Sequence, residues 1–375
     1  MSETISELIQ NLSDPAVEVR AGAAKTLGEH GATAKAAVPA LLKAVNDRSA
    51  AVRDSAIASL SKINLGSTVS ALIQNLEDDD DRVRTSAARG ISTMVERFEL
   101  PASTKQQVFQ ALAQAVNNRS WFVRSTVMAT LGELAPVDEV LPILIAGLAD
   151  AEAEVRQDAA IAIQCFGDEA EAAVPHLIDA FWHDIEVYAA SALGSIGPGA
   201  QAAIPRLLEA LERGHEDLRA RAAEAIGEIG SAAAVPALIK FLQQEDAGLR
   251  RAAAEALQGL GPVATAAVPN LIVALEDKSD EVKAMAAKAL GEIESENTAI
   301  AELLMPLLQD EAASVRASTA YALQLMGKHA EVAVPALIEA FRDEVERVSQ
   351  SAARALAEIA TPEAKEAIAR YRQWS

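Results

Sequence analysis

The 375 residues carry a formal net charge of −21, half of them are hydrophobic, and only 3% are aromatic. This apolar content excludes a largely disordered chain. The acidic balance argues against binding to nucleic acid, because proteins that bind phosphates concentrate Lys and Arg on one face; a local basic stripe stays open. The single cysteine, Cys165, excludes an internal disulfide and any site with several cysteine ligands. We expect no cofactor and no bound metal.

The sequence shows no targeting or membrane pattern. Its start, Met1-Ser2-Glu3-Thr4, lacks the charged and then apolar segments of a signal peptide. The richest apolar run, residues 140–149, is about half as long as a bilayer span requires and contains Pro142 and Gly147. We therefore expect no membrane span and a cytoplasmic protein.

One unit recurs along the chain and reads loosely V-P-x-L-I-x-A-L-x-D-x-x-x-x-V-R-x-x-A-A-x-A-L-G-x-I-G. The position before the arginine occurs eleven times, at separations of 30 to 33 residues apart from one step of 40. Such a period predicts tandem supersecondary units that stack on one another. The equivalent positions are Val19, Val52, Val83, Val123, Val155, Ile185, Leu218, Leu249, Val282, Val315 and Val348.

Each unit divides into two predicted helices. The first opens on Val-Pro in several units, such as Val268-Pro269, and proline suits a first helical turn, where its missing N–H would have no partner. Apolar residues then follow at helical spacing, as with Leu271 and Leu275. After a polar turn, a second apolar stripe begins at Val282. The sequence therefore predicts an all-α fold of eleven helix pairs.

The unit resembles the HEAT repeat, and more narrowly the short HEAT-like variety of the phycobilisome lyases. The stretches that carry the resemblance are Val235-Pro236-Ala237-Leu238-Ile239 and Arg251-Ala252-Ala253-Ala254-Glu255-Ala256-Leu257. The resemblance implies a right-handed α–α superhelix, a solenoid of about eleven repeats in one domain over residues 1–375. It also implies that the second helices line a concave groove. The family includes scaffolds, adaptors, lyases and one hydroxylase, so the resemblance is specific for fold and weak for function.

The arginines that follow the recurring valines have two interpretations. They form either a ladder that binds a ligand or a set of structural bridges. The resemblance implies that each bridges to an acidic turn residue of the neighbouring unit, and we favour that interpretation. These residues are Arg20, Arg53, Arg84, Arg124, Arg156, Arg219, Arg250 and Arg316.

The long step of 40 residues falls between repeats 3 and 4 and inserts the segment Arg97 to Thr104. A minor joint at residues 97–107, a binding loop and a tolerated surface insertion all fit. We favour the surface insertion, because surface connections vary in length at little cost.

Two of the three tryptophans lie in predicted turns between helices. Trp121 stands beside Phe122 in repeat 4, and Trp182 stands beside His183 in repeat 6. The repeat 6 turn is three residues shorter than usual, and Glu186 replaces the arginine. A large apolar ring on an exposed turn is typical of a partner contact. The alternative, that each ring folds onto its own turn, stays open.

Positions that face the implied groove are poor in charge in repeats 4 to 6. Twelve of them carry two charged residues, Glu133 and Asp158, whereas twelve in repeats 7 to 9 carry seven. Depletion of charge is typical of the core of a protein interface, although composition also drifts between repeats. The candidate partner-binding residues are Trp121, Phe122, Gln157, Asp158, Ile161, Trp182, His183, Val187 and Tyr188, with Tyr321 at the same kind of position in repeat 10.

The last residues depart from the repeat. Thr361-Pro362-Glu363 predicts an N-cap, a proline at the first helical position and an early acid. We expect a terminal helix in residues 361–375 that caps the end of the solenoid, because the last repeat has no neighbour to cover it.

No catalytic residue is predicted. The family's deoxyhypusine hydroxylase binds a di-iron centre through His-Glu pairs at the start of second helices, and none of the eleven equivalent positions is His-Glu. The five histidines show no metal-ligand spacing. The sequence predicts a non-catalytic scaffold or adaptor whose partner is another protein. The alternatives are a bilin lyase or phycobiliprotein chaperone, implied by the resemblance alone, and a structural or assembly protein; the oligomeric state stays open.

Overall fold

A computed structural model describes residues 3–63, 68–97, 99–132 and 134–371, without the side chain of Tyr371. The residues it describes form helices and turns, and no strand occurs among them. The first helices of the eleven repeats are α1 (Ile5–Asn11), α3 (Val38–Ala44), α5 (Val69–Asn75), α7 (Ala102–Ala115), α9 (Val137–Gly147), α11 (Val174–Ala180), α13 (Ile204–Arg213), α15 (Val235–Phe241), α17 (Val268–Ala274), α19 (Thr298–Leu304) and α21 (Val334–Ala340).

The second helices alternate with the first along the chain. They are α2 (Val17–Glu29), α4 (Ala50–Ile63), α6 (Asp81–Arg97), α8 (Trp121–Leu131), α10 (Ala153–Gln164), α12 (Glu186–Ile196), α14 (Glu216–Ile229), α16 (Ala247–Leu260), α18 (Asp280–Ile293), α20 (Ala313–Met326) and α22 (Glu346–Ile359). A last helix, α23 (Pro362–Tyr371), follows them. Short 3-10 segments join successive repeats at Gly31–Ala37, Gly167–Ala173, Gly197–Ala203, Ala232–Ala234, Gly261–Ala267 and Gly327–Ala333, and another, Met305–Gln309, lies between the two helices of repeat 10.

The chain divides into two compact units, residues 1–188 and 189–375. In the first unit α2, α4, α6, α8 and α10 pack in chain order, each against the next, and each is covered by the first helix of its own repeat. In the second unit α14, α16, α18, α20 and α22 pack in the same way. The fold is a helical solenoid, as predicted; the handedness of the superhelix and the single domain stay predictions.

Small residues set the distance between successive second helices. A Cβ built on Gly227 of α14 would lie 2.8 Å from the Cα of Gly259 in α16. A Cβ built on Gly291 of α18 would lie 2.8 Å from the backbone of Ala322 in α20. Real Cβ atoms do not approach so closely, so glycine is required for this spacing.

The residues inserted between repeats 3 and 4 lengthen helices. Helix α6 runs for 17 residues to Arg97, and α7 runs for 14 residues from Ala102, whereas α3 and α5 have seven each. Residue 98 lies outside the described part. The expected joint at 97–107 therefore falls on the end of one helix and the start of the next, and its role as a joint stays a prediction.

Helix α23 begins where the sequence predicts. The Thr361 hydroxyl accepts a hydrogen bond from the Ala364 backbone N–H at 3.2 Å, as an N-cap does. The helix packs against α21 and α22. Residues 372–375 lie outside the described part, so the predicted cap is described only as far as Tyr371.

One stretch of the described residues, Ala247–Ala274, is long and apolar enough to cross a membrane by length and composition. It comprises α16, a 3-10 segment and α17, with a change of direction at Gly261, whose φ is 56°. Core helices of ordinary solenoids pass the same test, so this stretch is weak evidence for a span.

The recurring arginines join neighbouring repeats. Nε and Nη2 of Arg250 each donate to one carboxylate oxygen of Asp277 at 2.7 Å. Nη1 donates to the carbonyl oxygens of Gln244 and Glu245 at 2.8 and 2.7 Å. Asp277 also accepts from the Ser279 backbone N–H at 2.8 Å. One arginine therefore closes the turn of its own repeat and holds the turn of the next.

The same pairing recurs at one repeat after another, and most of the paired groups are largely buried. The structural-bridge interpretation is confirmed, and these guanidinium groups are occupied inside the fold. The pairs are Arg20–Asp47, Arg53–Asp78, Arg124–Asp150, Arg156–Asp184, Arg219–Asp246, Arg250–Asp277 and Arg316–Asp343, with Lys283–Asp310 in the same place.

Arg84 is the exception. Asn118 occupies the place of the aspartate in the turn of repeat 4, and its side chain donates to the carbonyl of Leu76 at 2.8 Å. Arg84 instead donates to Asp81 of its own repeat at 2.7 Å. The bridge is therefore absent between repeats 3 and 4, the same two repeats that the insertion separates.

We expect Gly291→Ala to destabilise the chain by about 1 to 3 kcal/mol, because the new methyl group meets the backbone of Ala322 and α18 and α20 must separate. Gly22→Ala is the matched control, since nothing lies within 4 Å of a Cβ at that helical position. It should stabilise α2 by about 0.5 to 1 kcal/mol. Urea unfolding followed by circular dichroism measures both. Equal effects of the two changes would contradict this account of the helix spacing.

We expect Asp277→Asn to destabilise the chain by about 1.5 to 3 kcal/mol at about pH 7, because a charged acceptor of Arg250 is lost while the turn to Ser279 keeps its acceptor. The Arg250 guanidinium lowers the pKa of Asp277. The stabilisation is therefore complete above the pKa of the unfolded chain and is lost as pH falls through the lower pKa of the folded chain.

Urea midpoints of the wild type and Asp277→Asn should therefore converge as the pH is lowered below about 4. The fully exposed Asp79 provides the control, and Asp79→Asn should leave the midpoint unchanged. A gap between wild type and Asp277→Asn that does not narrow in acid would show that the carboxylate charge contributes nothing.

Candidate functional site

The two aromatic residues of repeat 4 begin helix α8 rather than lying in the turn before it. Trp121 is 43% exposed, and its ring meets that of Phe122 edge to face, with centroids 5.7 Å apart. Phe122 is half-buried, and the Arg89 guanidinium lies 5.3 Å from its ring centroid. Phe122 is therefore packed into the fold, and Trp121 is the ring that faces solvent.

Repeat 6 has the same arrangement in its shortened turn. Phe181 is fully buried and Trp182 is 39% exposed, with ring centroids 5.2 Å apart at 74°. The turn closes through Asp184, whose φ of 61° lies in the left-handed region. The carbonyl of His183 accepts from Nε of Arg156 at 3.0 Å. Each tryptophan thus packs edge to face on the adjacent phenylalanine and stays two-fifths exposed, and its contact with a partner stays a prediction.

Two of the candidate groove residues of repeat 5 form hydrogen bonds within the fold. Nε2 of Gln157 donates to the carbonyl of Asp184 at 3.2 Å, and the carboxylate of Asp158 accepts from Oγ of Ser125 at 2.5 Å. Burial raises the pKa of Asp158, against the opposing effect of the hydrogen bond. Ile161 is 41% exposed. Of these candidates, Ile161 offers the apolar surface.

The remaining candidate residues lie in different units of the chain. Val187 and Tyr188 are half-buried in the first turn of α12 and end the first unit. Tyr321 is 38% exposed on α20 and belongs to the second unit. Glu133, one of the two charged groove positions, lies outside the described residues. Within the first unit the structure therefore leaves Trp121, Ile161 and Trp182 as the exposed apolar candidates.

The sequence did not indicate a cleft of about 560 Å³ in the first unit. It lies between α9 and α11 and the turns that follow them, and His183 lines it. The only related feature of the sequence is the short turn of repeat 6, which supplies His183 to the cleft. No group of three His, Cys, Asp or Glu side chains in the described part of the chain is placed to hold a metal ion. The lining includes Ile145, Leu148, Arg156, His176 and Asp179.

A family model for HEAT repeats matches residues 5–92, 109–194, 184–258, 249–324 and 301–373. The chain belongs to the HEAT-repeat family. The match is to HEAT repeats in general, so the phycobilisome-lyase subtype stays a prediction. A comparison with curated proteins finds no match.

Solved structures of karyopherins are similar in fold. The karyopherin Kap121p bound to the extreme C-terminus of the protein phosphatase Cdc14p is 15% identical over 99% of this chain, with a TM-score of 0.63. Kap95p, in a structure with RanGDP, is 12% identical over 99% of this chain, with a TM-score of 0.66. The match covers 46% and 58% of those chains, so this HEAT-repeat chain spans about half their length.

We expect Trp182→Ala to retain the fold at a cost of about 1 kcal/mol, because the exposed ring loses one edge-to-face contact. Phe181→Ala should cost about 3 to 5 kcal/mol, since it empties a fully buried site. Urea unfolding of the two variants measures the difference. A cost for Trp182→Ala as large as that for Phe181→Ala would show that Trp182 serves the fold and not a partner.

Proposed function

We propose that the chain is a non-catalytic scaffold or adaptor that binds another protein through the second helices and turns of repeats 4 to 6. The observation that carries this proposal is the exposure of Trp121 and Trp182, each about two-fifths, in a chain with 3% aromatic residues. Tryptophan is enriched among the residues that dominate binding energy, because its ring buries a large area against a partner.

The surroundings of each tryptophan favour this role. The ring of Phe122 or Phe181 meets it at 70° or 74°, which restricts the tryptophan before any partner arrives. A restricted side chain loses less conformational entropy on binding than a free one. Ile161, exposed on the second helix of the repeat between them, adds apolar area at a position without charge.

The similar structures support the general class. The karyopherins named above are HEAT-like solenoids observed with protein partners. The likeness is one of fold, at low identity and over about half of their length. It supports a protein as the partner of this chain.

The alternatives from the sequence have separate tests. A bilin lyase or phycobiliprotein chaperone would change the visible absorbance of a bilin incubated with a phycobiliprotein. A structural protein that assembles with itself would show a rising mass in light scattering as its concentration increases. A cytoplasmic location, expected from the single cysteine, is part of the proposal.

We expect Trp182→Ala and Tyr188→Ala to weaken partner binding by about tenfold or more, because each removes an aromatic anchor. Affinity capture from the source organism with quantitative mass spectrometry should show one set of proteins lost from both variants. Val273→Ala, an exposed apolar change on a first helix of the other unit, should retain them.

A second readout uses the exposed Cys165 as a labelling site close to Ile161. An environment-sensitive fluorophore there should respond to the captured partner in the wild type and in Val273→Ala. Capture and fluorescence at wild-type levels in both aromatic variants would refute the proposed site.

A further inference from the structure

A polar pocket of about 320 Å³ opens on the second helices of the second unit. Four successive helices, α16, α18, α20 and α22, each contribute side chains to it. Tyr321 forms one wall with its exposed ring. The pocket is lined by Gln258, Lys288, Tyr321, Arg347, Gln350 and Arg354, with small residues of α20 and α22 between them.

Three cationic side chains line this pocket without forming a close ion pair. Lys288, Arg347 and Arg354 form no ion pair within 4.0 Å to any acidic side chain among the described residues. The recurring arginines behave differently, since nearly all of them hold an aspartate of the next repeat. Three neighbouring cations without a close ion pair are unexpected in a chain whose net charge is −21.

The position of Lys288 makes its charge costly. Burial, and then the nearby Arg347, lower the pKa of Lys288, while Glu255 acts in the opposite direction. A half-buried ammonium beside a second cation is stabilised by an anion that enters the pocket. The amides of Gln258 and Gln350 supply uncharged hydrogen-bond donors at the same pocket.

The spacing of the cations favours more than one anionic group. Arg347 and Arg354 lie seven residues apart on α22, which places them on one face about 10 Å apart along the helix axis. This separation is that of the two backbone positions, and it allows each arginine side chain to reach an anionic group of its own. Guanidinium groups pair with carboxylates through two parallel hydrogen bonds, so each arginine suits a separate carboxylate.

We propose that this pocket binds an acidic segment of a partner protein through two or more carboxylates. The inference rests on the proposed function, because the occupant is again a protein. It adds a second contact, in the other unit of the chain, with a stated chemistry. Tyr321, a candidate from the sequence, supplies an apolar wall beside the charged groups.

Fluorescence anisotropy of a labelled hexaglutamate peptide tests the pocket in the full chain, at an ionic strength of about 50 mM. The wild type should bind it more tightly than hexaglutamine, and the double variant R347Q/R354Q should bind it at least about tenfold more weakly. The matched control is K328Q/R342Q, which removes the same charge from two exposed positions off this pocket. It should bind like the wild type.

Lys288→Gln provides an independent variant and should also weaken binding, with an unchanged circular dichroism spectrum. Equal binding of hexaglutamate and hexaglutamine, or equal losses in R347Q/R354Q and the control, would overturn the inference. Displacement by inorganic phosphate at concentrations where acetate has no effect would overturn the carboxylate assignment. If hexaglutamate fails to bind while partner capture still depends on Trp182, this inference falls and the proposed function stands.

Discussion

The bridge between an arginine and an aspartate of the next repeat is the interaction that holds each turn of this chain to the following one. Arg250 closes its own turn and holds Asp277, 27 residues further on, and Arg316 holds Asp343 at the same distance. The separation varies from 25 residues for Arg53 and Asp78 to 28 for Arg156 and Asp184, so the bridge accommodates small changes in repeat length. The pair is missing between Arg84 and Asn118, where the longer insertion lies. It is also missing in repeat 6, where Glu186 stands in place of the arginine.

Two exposed aromatic rings lie at the irregular turns, whereas a third, that of Tyr321, is exposed on α20. Trp121 follows the turn in which Asn118 replaces the aspartate, and Trp182 lies in the turn that lost three residues. In that shortened turn Arg156 bonds to the carbonyl of His183 as well as to Asp184, so the bridge adapts and the stack continues. A solenoid tolerates such local changes because each repeat contacts only its neighbours. Departures from the consensus can carry function without loss of the fold.

The sequence predicts the features that repeat and misses those that depend on pairs of repeats. Eleven helix pairs follow from period and residue type, and the arginine bridges follow from the resemblance to the HEAT repeat. The contact of Arg89 in α6 with Phe122 in α8 was not predicted. The insertion between these two helices prevents the sequence from showing which of their residues lie side by side. The hydrogen bond from Ser125 to Asp158 joins residues 33 apart, one period, and the repeat alignment alone gives a way to find it. Lys288 on α18 and Arg354 on α22 line the same pocket. No single position of the consensus indicates that these side chains from different repeats lie together.

Close helix packing connects the architecture with its electrostatics. Glycines such as Gly227 and Gly259 allow second helices to approach closely, and the charged side chains of Glu255 and Lys288 on these helices are half-buried. Burial then raises the pKa of Glu255 and lowers that of Lys288, which means that both charged forms are held at a cost. A partner that brings the opposite charge to such a group recovers part of this cost, whereas water alone does not. We therefore expect the second-helix surface to favour partners that bring the opposite charge, because close packing leaves these charged groups half-buried.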